Sequence, residues 1–167
     1  MTNGTQITQA SDIFFHAEQF YLALDTMHHQ DRDFVVKVAL PLVILTAFCC
    51  EIYFKCVIFI ETGKLAKGHH LYDLFTRLSP KSQARLEELW DHIQASREES
   101  LRRTEQAMGR KLPRDLRSLL REANKSFEDW RYLYELEKPK KGYFGIAELP
   151  RPLRALVLEL KPDLVGG

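Results

Sequence analysis

The hydrophobic positions of this chain recur at three and four residues almost throughout, the repeat that lines apolar side chains along one face of an α-helix. Ile13, Phe14, Ala17, Phe20, Tyr21, Leu24 and Met27 form one such stripe. It predicts a helix over about residues 12–29, with Ser11 as N-cap and Asp12 in the first turn, where a carboxylate suits the helix dipole. His28-His29-Gln30-Asp31 is a polar break. From Phe34 to Thr62 the chain is apolar on nearly every side, as expected of the central helix of a bundle. Pro41 marks its first turn or a kink, and Gly63 is a natural stop. Gly68-His69-His70 opens a short third helix carrying Leu71, Leu74, Phe75 and Leu78. Ser79-Pro80 is a restart, with Ser as N-cap and Pro at the first helical position. That fourth helix runs through Ala84, Leu89, Trp90 and Ile93, becomes charged from Arg97 to Glu105 and stops near Gly109. Pro113 starts a fifth with Leu116, Leu119, Leu120 and Ala123, and the chain either breaks or continues at Asn124, ahead of a weak capping box from Ser126 to Asp129. Phe127, Trp130 and Tyr134 follow at three and four, Lys138-Pro-Lys-Lys-Gly142 reads as a loop, and Pro152 to Leu160 as a last short helix.

No run alternates with period two for long enough to make a strand, so the predicted class is all-α. The reading is a bundle of about five helices over residues 11–137, with a flexible tail at 1–10 and a C-terminal loop and short helix at 138–167. A length of 167 residues suits one domain able to bury its own core. A hydrophobic share of 45% beside a charged share of 28% is globular rather than disordered. The net charge of +1 offers no global attraction to nucleic acid. Cys49, Cys50 and Cys56 all fall in one apolar run, which favours reduced thiols in a core helix over a disulfide framework and implies the cytoplasm. The polar N-terminus does not read as a secretory signal. The uncharged run Val38 to Cys50 is too short to span a bilayer, and extending it takes in Glu51 and Lys55, so no membrane partner is expected.

Candidate chemistry is sparse. Gly142-Tyr-Phe-Gly145 lacks the strand and helix of a phosphate loop, and no zinc pair or nucleophile elbow occurs. His28-His29 and His69-His70 are adjacent, and adjacent side chains on a helix point apart, so neither is a metal pair. No metal or cofactor is expected. Glu51 and Lys55 stand four apart inside an apolar helix, either as a structural ion pair near the bundle rim or as a polar patch under a ligand or subunit site. They should be partly buried and pair with each other or with Arg131. Arg97 to Arg121 holds eight Lys/Arg against four Asp/Glu but no aromatic residue to stack on a base, which favours a solvated face over a nucleic-acid surface. Trp130, Tyr132 and Tyr134 surround Arg131, and an Arg in an aromatic cluster is suited to hold a carboxylate or phosphate.

Three of these features, in this order, resemble the HEPN domain, the higher eukaryotes and prokaryotes nucleotide-binding helical bundle. Glu51-Ile-Tyr-Phe-Lys55-Cys-Val-Ile is similar to the family's Glu-x-x-x-Lys followed by an apolar run. Gly63 followed by His69-His70-Leu71-Tyr-Asp-Leu74 is similar to its glycine and His-Asp-Leu-x-x-Leu helix start, with His70 standing where the family has Asp. Trp130-Arg131-Tyr132 is similar to the aromatic-Arg-Tyr of a later helix. The likeness covers roughly residues 11–137. Many members are metal-independent RNases whose signature is an Arg, then four to six residues, then a His, presented at a homodimer interface, and others bind nucleotides or partner proteins. After Arg131 come Tyr-Leu-Tyr-Glu-Leu-Glu-Lys, with no His. Arg85 and His92 have the spacing in an earlier helix, but thirteen Arg and six His let chance supply one such match.

The resemblance therefore implies a dimeric binding or interaction module without the RNase pair, in a defence or toxin–antitoxin setting. Its partner would be an antitoxin, a nucleotidyltransferase, RNA or a nucleotide. Glu51, Lys55, His69, Arg131, Tyr132 and Tyr134 are its candidate contact residues. The rivals are an RNase with a displaced active site, drawing on Arg131, His69, Arg85 and His92, and a bundle that binds nucleic acid through Arg97–Arg121.

Overall fold

The computed structural model describes residues 9–124 and 145–165, and every regular element among them is helical. The order is α1 (Ala10–His28), α2 (Arg32–Lys37), α3 (Ala39–Thr62), α4 (Leu71–Thr76), α5 (Pro80–Ala95), α6 (Glu98–Met108), α7 (Leu116–Ala123) and α8 (Pro150–Leu160), with a closing 3-10 turn at Pro162–Val165. The chain is an all-α bundle, as its pattern predicted.

α3 is the axis. Its buried residues include Cys49, Cys50, Ile52, Tyr53, Phe54, Cys56, Val57 and Ile58, on every side of the helix. α1 runs antiparallel along it. The Cys49 thiol points at the Ala17 carbonyl at 3.8 Å and the Cys56 thiol at the Ala10 carbonyl at 3.7 Å, so seven residues forward on one helix match seven back on the other. The small Ala17, fully buried, lets the two backbones come this close. α4 and α8 pack on other sides of α3, and α5 and α7 close over them. The helix beyond residue 137 is not peripheral to this core, since Leu149, Leu153, Leu156 and Val157 lie in the same cluster as α3. By length and composition alone α3 is apolar enough to cross a membrane, with a mean hydropathy of 2.1. Here it is the helix the others surround.

Several boundaries differ from the expected ones. α1 starts before Ser11: the Asp12 carboxylate reaches back to the Gln9 amide at 2.8 Å, which places Ser11 inside the first turn. The helix expected from Phe34 to Thr62 is two helices broken at Val38. Pro41 explains the break, because its ring clashes with the carbonyl four residues back, that of Lys37, and it has no N–H to give. Asp31 caps α2 by accepting from the Phe34 amide at 2.9 Å. The fourth helix is also two, bent at Ser96–Arg97. α5 buries Ser82, Leu86, Trp90 and Gln94, and a straight continuation would bring Glu98 onto that face, where charge is costly; the bend leaves Glu98 exposed, while Arg97 stays half-buried. The fifth helix begins at Leu116 behind its Asp115 cap, not at Pro113. Trp90 is wholly buried and its indole N–H needs an acceptor; it donates to the Arg114 carbonyl at 3.0 Å and keeps 111–114 out of the helix. The Asp115 carboxylate then caps α7 from the Ser118 amide at 2.8 Å.

Two stops and one start fall where expected. Gly63 and Gly109 end α3 and α6 at φ of 67°, a left-handed conformation that favours glycine. Ser79 caps α5 with Pro80 at its first position. Its cap is shared, because the Glu61 carboxylate accepts from the Ser79 amide at 2.9 Å and from the Ser79 and Ser82 hydroxyls at 2.6 Å each, which fastens the end of α3 to the start of α5.

Candidate functional site

Glu51 lies in the middle of α3 with only 3% of its side chain exposed. A carboxylate taken this far out of water is tolerated only with donors of its own. Lys55, one turn on and on the same face, donates from Nζ to Glu51 Oε1 at 2.6 Å, with 22% of its side chain exposed. The ion pair expected from the spacing is present and partly buried.

The same oxygen has a second donor that spacing did not reveal. His69 Nδ1 lies 3.0 Å from Glu51 Oε1. A carboxylate only accepts, so this nitrogen carries the proton and Nε2 becomes the basic one. The loop between α3 and α4 sets the ring there. Gly63 ends α3, and Gly68 at φ 96° turns the chain back in a conformation side chains rarely adopt. The ring remains accessible, with 61% of the side chain exposed. Both bonds end on one oxygen, so the lysine and imidazole nitrogens can be no farther apart than the two bonds laid end to end. Glu51 Oε2 is buried and has no hydrogen-bond partner among the described residues. The site is thus one buried carboxylate with its donors crowded on a single oxygen.

The short third helix starts at Leu71, so His69 lies in the loop and His70, the residue that caps α4, turns the other way. Its Nδ1 is 3.1 Å from the Asn124 carbonyl, while the Asn124 side chain accepts from the Tyr72 amide at 3.0 Å. Asn124 thereby joins the start of α4 to the end of α7. Arg121 lies 4.7 Å above the Tyr72 ring and donates to its hydroxyl at 2.7 Å.

The remaining sequence candidates are not drawn into this site. Arg131, Tyr132 and Tyr134 lie outside the described residues. Arg85 is held by carboxylates: it forks onto Glu159 at 2.8 and 2.7 Å and reaches Glu88 at 2.7 Å. His92 Nδ1 lies 2.8 Å from the Glu88 carbonyl. Seven residues along one helix put about 10 Å of axis between Arg85 and His92, so the spacing does not assemble a pair. The basic stretch from Arg97 is largely balanced where it stands. Arg103 pairs with Glu99, Arg110 with Glu122, Lys111 and Arg114 with Glu105, and Arg117 with Glu87. Among the described residues no group of three or more His, Cys, Asp or Glu is placed to hold a metal ion. A cleft of about 360 Å³ lies between the end of α1 and the start of α8, lined by residues that include Asp25, His28, His29 and Arg151, none of them in the Glu51 cluster.

Two further polar clusters escaped the sequence reading. Glu18 of α1 receives Arg154 of α8 in a fork at 2.8 and 2.9 Å, and the buried Tyr53 hydroxyl of α3 donates to the same carboxylate. Burial and that bond push the tyrosine hydroxyl far above its usual range. Glu105 accepts from the Leu112 amide at 2.8 Å and from Arg114 at 3.0 Å, and these hold its carboxyl down at about 2. The Glu18–Arg154 partners lie 136 residues apart, and no local pattern announces such a contact. No family model matches the chain, and neither a curated protein nor a solved structure shows significant similarity to it.

Proposed function

We propose that this is a HEPN-like helical binding or interaction module, dimeric and cytoplasmic, that lacks the Arg–His pair of the family's RNases. The Glu51–Lys55–His69 cluster is its contact point for a ligand or partner. One observation supports the reading above the rest. The Glu-x-x-x-Lys of α3 and the His-His-Leu ahead of α4, two of the three motifs behind the resemblance, converge on a single oxygen of Glu51. Arg85, the Arg that has a His at the RNase spacing, is occupied by Glu88 and Glu159 instead. A defence or toxin–antitoxin setting, with an antitoxin or nucleotidyltransferase as partner, follows from the resemblance.

The Glu51–His69 bond favours a second reading, a metal-independent RNase with a displaced active site. Metal-free cleavage needs a base for the 2′-hydroxyl and a cation for the developing phosphorane charge. A buried carboxylate that fixes an imidazole tautomer is how such a base is oriented. Incubation of mixed-sequence RNA with the protein in EDTA separates the two readings, run beside Arg131→Ala, His92→Ala and His69→Ala. No cleavage is expected. Cleavage that His69→Ala or Arg131→Ala abolishes would put the RNase first.

A further inference from the structure

We propose that the cleft between the end of α1 and the start of α8 binds a small zwitterion, a free α-amino acid with an apolar side chain. The site is separate from the Glu51 cluster and from the reading built on it. The cleft measures about 360 Å³, within the ~300–1,000 Å³ usual for small-molecule sites. Its polar lining is largely unused. The Asp25 carboxylate stands 3.7 Å from His29, and Arg151 stands 3.7 Å from Glu148, too far in each case for a hydrogen bond. The His28 ring and the Tyr21 hydroxyl have no hydrogen-bond partner among the described residues. One turn further along α8 the contrast is plain, since Arg154 forks onto Glu18 at 2.8 and 2.9 Å. Polar side chains that converge on a cavity without bonding one another are the groups a ligand completes.

The two walls differ in chemistry, and the difference selects the ligand. On the α1 wall the Asp25 carboxylate accepts. So does His29, whose Nδ1 gives its proton to the Asp25 carbonyl at 2.7 Å and leaves Nε2 of the neutral ring as an acceptor. A primary ammonium, a compact charge with three donors, suits that wall. On the α8 wall Arg151, with 68% of its side chain exposed, offers its guanidinium fork to a carboxylate. The helix ends lean the same way, since the carboxy end of α1 favours a cation and the amino end of α8 an anion. Pro150 and Pro152 have no N–H, so the guanidinium rather than the first turn of α8 makes the bonds. Leu24, Ala147 and Pro150 supply the apolar part of the lining. A metal ion fits less well, because no three His, Cys, Asp or Glu among the described residues are placed to hold one. Glu148 is the competitor, since a ligand carboxylate must share Arg151 with it.

Isothermal titration calorimetry of the full chain with L-leucine, L-leucinamide and N-acetyl-L-leucine tests this. Leucine should bind with millimolar affinity or tighter. The amide lacks the carboxylate and the acetyl derivative lacks the ammonium. Each should bind about tenfold more weakly, the worth of one hydrogen bond to a charged group. Arg151→Met and Asp25→Asn should each weaken leucine by a similar factor. Their far-UV circular dichroism should match the parent's, because the two side chains are 68% and 56% exposed. Glu148→Gln should tighten leucine binding, since the rival carboxylate is gone. No heat with leucine, or equal affinity for the three compounds, overturns the proposal. So does leucine binding that Arg151→Met and Asp25→Asn leave intact, which puts the ligand outside this cleft. Weaker binding by Glu148→Gln overturns the orientation, because the ammonium would then lie on the α8 wall.

Discussion

Lys55→Met removes the ammonium 2.6 Å from Glu51 Oε1 and keeps most of the volume of the side chain. What remains is a carboxylate 3% exposed, one oxygen already without a partner among the described residues, with the His69 ring as its remaining donor within the cluster. Removing one member of a buried ion pair costs about 3–5 kcal/mol, because the other charge is stranded. His69 keeps its bond, so the lower end applies, about 3 kcal/mol. For a domain of this size that lowers the melting temperature by about 6–12 °C. Glu51→Met should cost less, since Lys55 is 22% exposed and its flexible stem can carry the charge to water. The double variant replaces a charge pair with two apolar side chains of similar size and should lie within about 1 kcal/mol of the parent. The coupling energy of the cycle is then about 2 kcal/mol or more. Urea unfolding followed by circular dichroism and tryptophan emission measures it. If Lys55→Met costs the same with Glu51 present or absent, the loss is one of packing along the lysine stem, and the argument for a stranded carboxylate fails.

Two further outcomes follow from the charged and thiol groups. Glu105 is held down to about 2 by the Leu112 amide first and Arg114 second. A depressed carboxyl contributes stability that is present above its unfolded value of about 4.3 and lost as pH falls towards 2. Glu105→Gln should therefore flatten the decline of melting temperature between about pH 4.5 and 2, and parallel curves for variant and parent would refute the assignment. Burial pushes the Cys49 and Cys56 thiols up to about 12 and raises Cys50 as well. At pH 8 a thiol reagent should leave all three untouched for minutes in the native protein and titrate all three in denaturant; rapid native reaction at any of them would count against the burial described.

The legible parts of this fold are those decided within a few residues. Gly63 and Gly109 could be read as stops because a left-handed residue at a helix end favours glycine, and Ser79-Pro80 as a start because a hydroxyl and a ring without an N–H suit the first turn. Glu51 and Lys55 could be paired because four residues make one turn. The break at Val38 was half legible. Pro41 marks a first turn or a kink, but its effect falls four residues earlier, on the carbonyl of Lys37.

The amino-acid order by itself determined the class, the central helix, most of its neighbours and the charge pair at its middle. All of these depend on the period of the α-helix and on chemistry within one turn. Only tertiary packing decided that His69 joins Lys55 on the same oxygen, that Asn124 bridges α4 and α7, and that Arg154 of the last helix locks onto Glu18 of the first. It also decided where α5 bends and where α7 begins, since both turn on what the core can bury: Glu98 must leave the face that α5 buries, and the Trp90 indole must find an acceptor at Arg114. Contacts between residues tens of positions apart are selected by the fit of whole helices, and no short stretch of sequence carries that information.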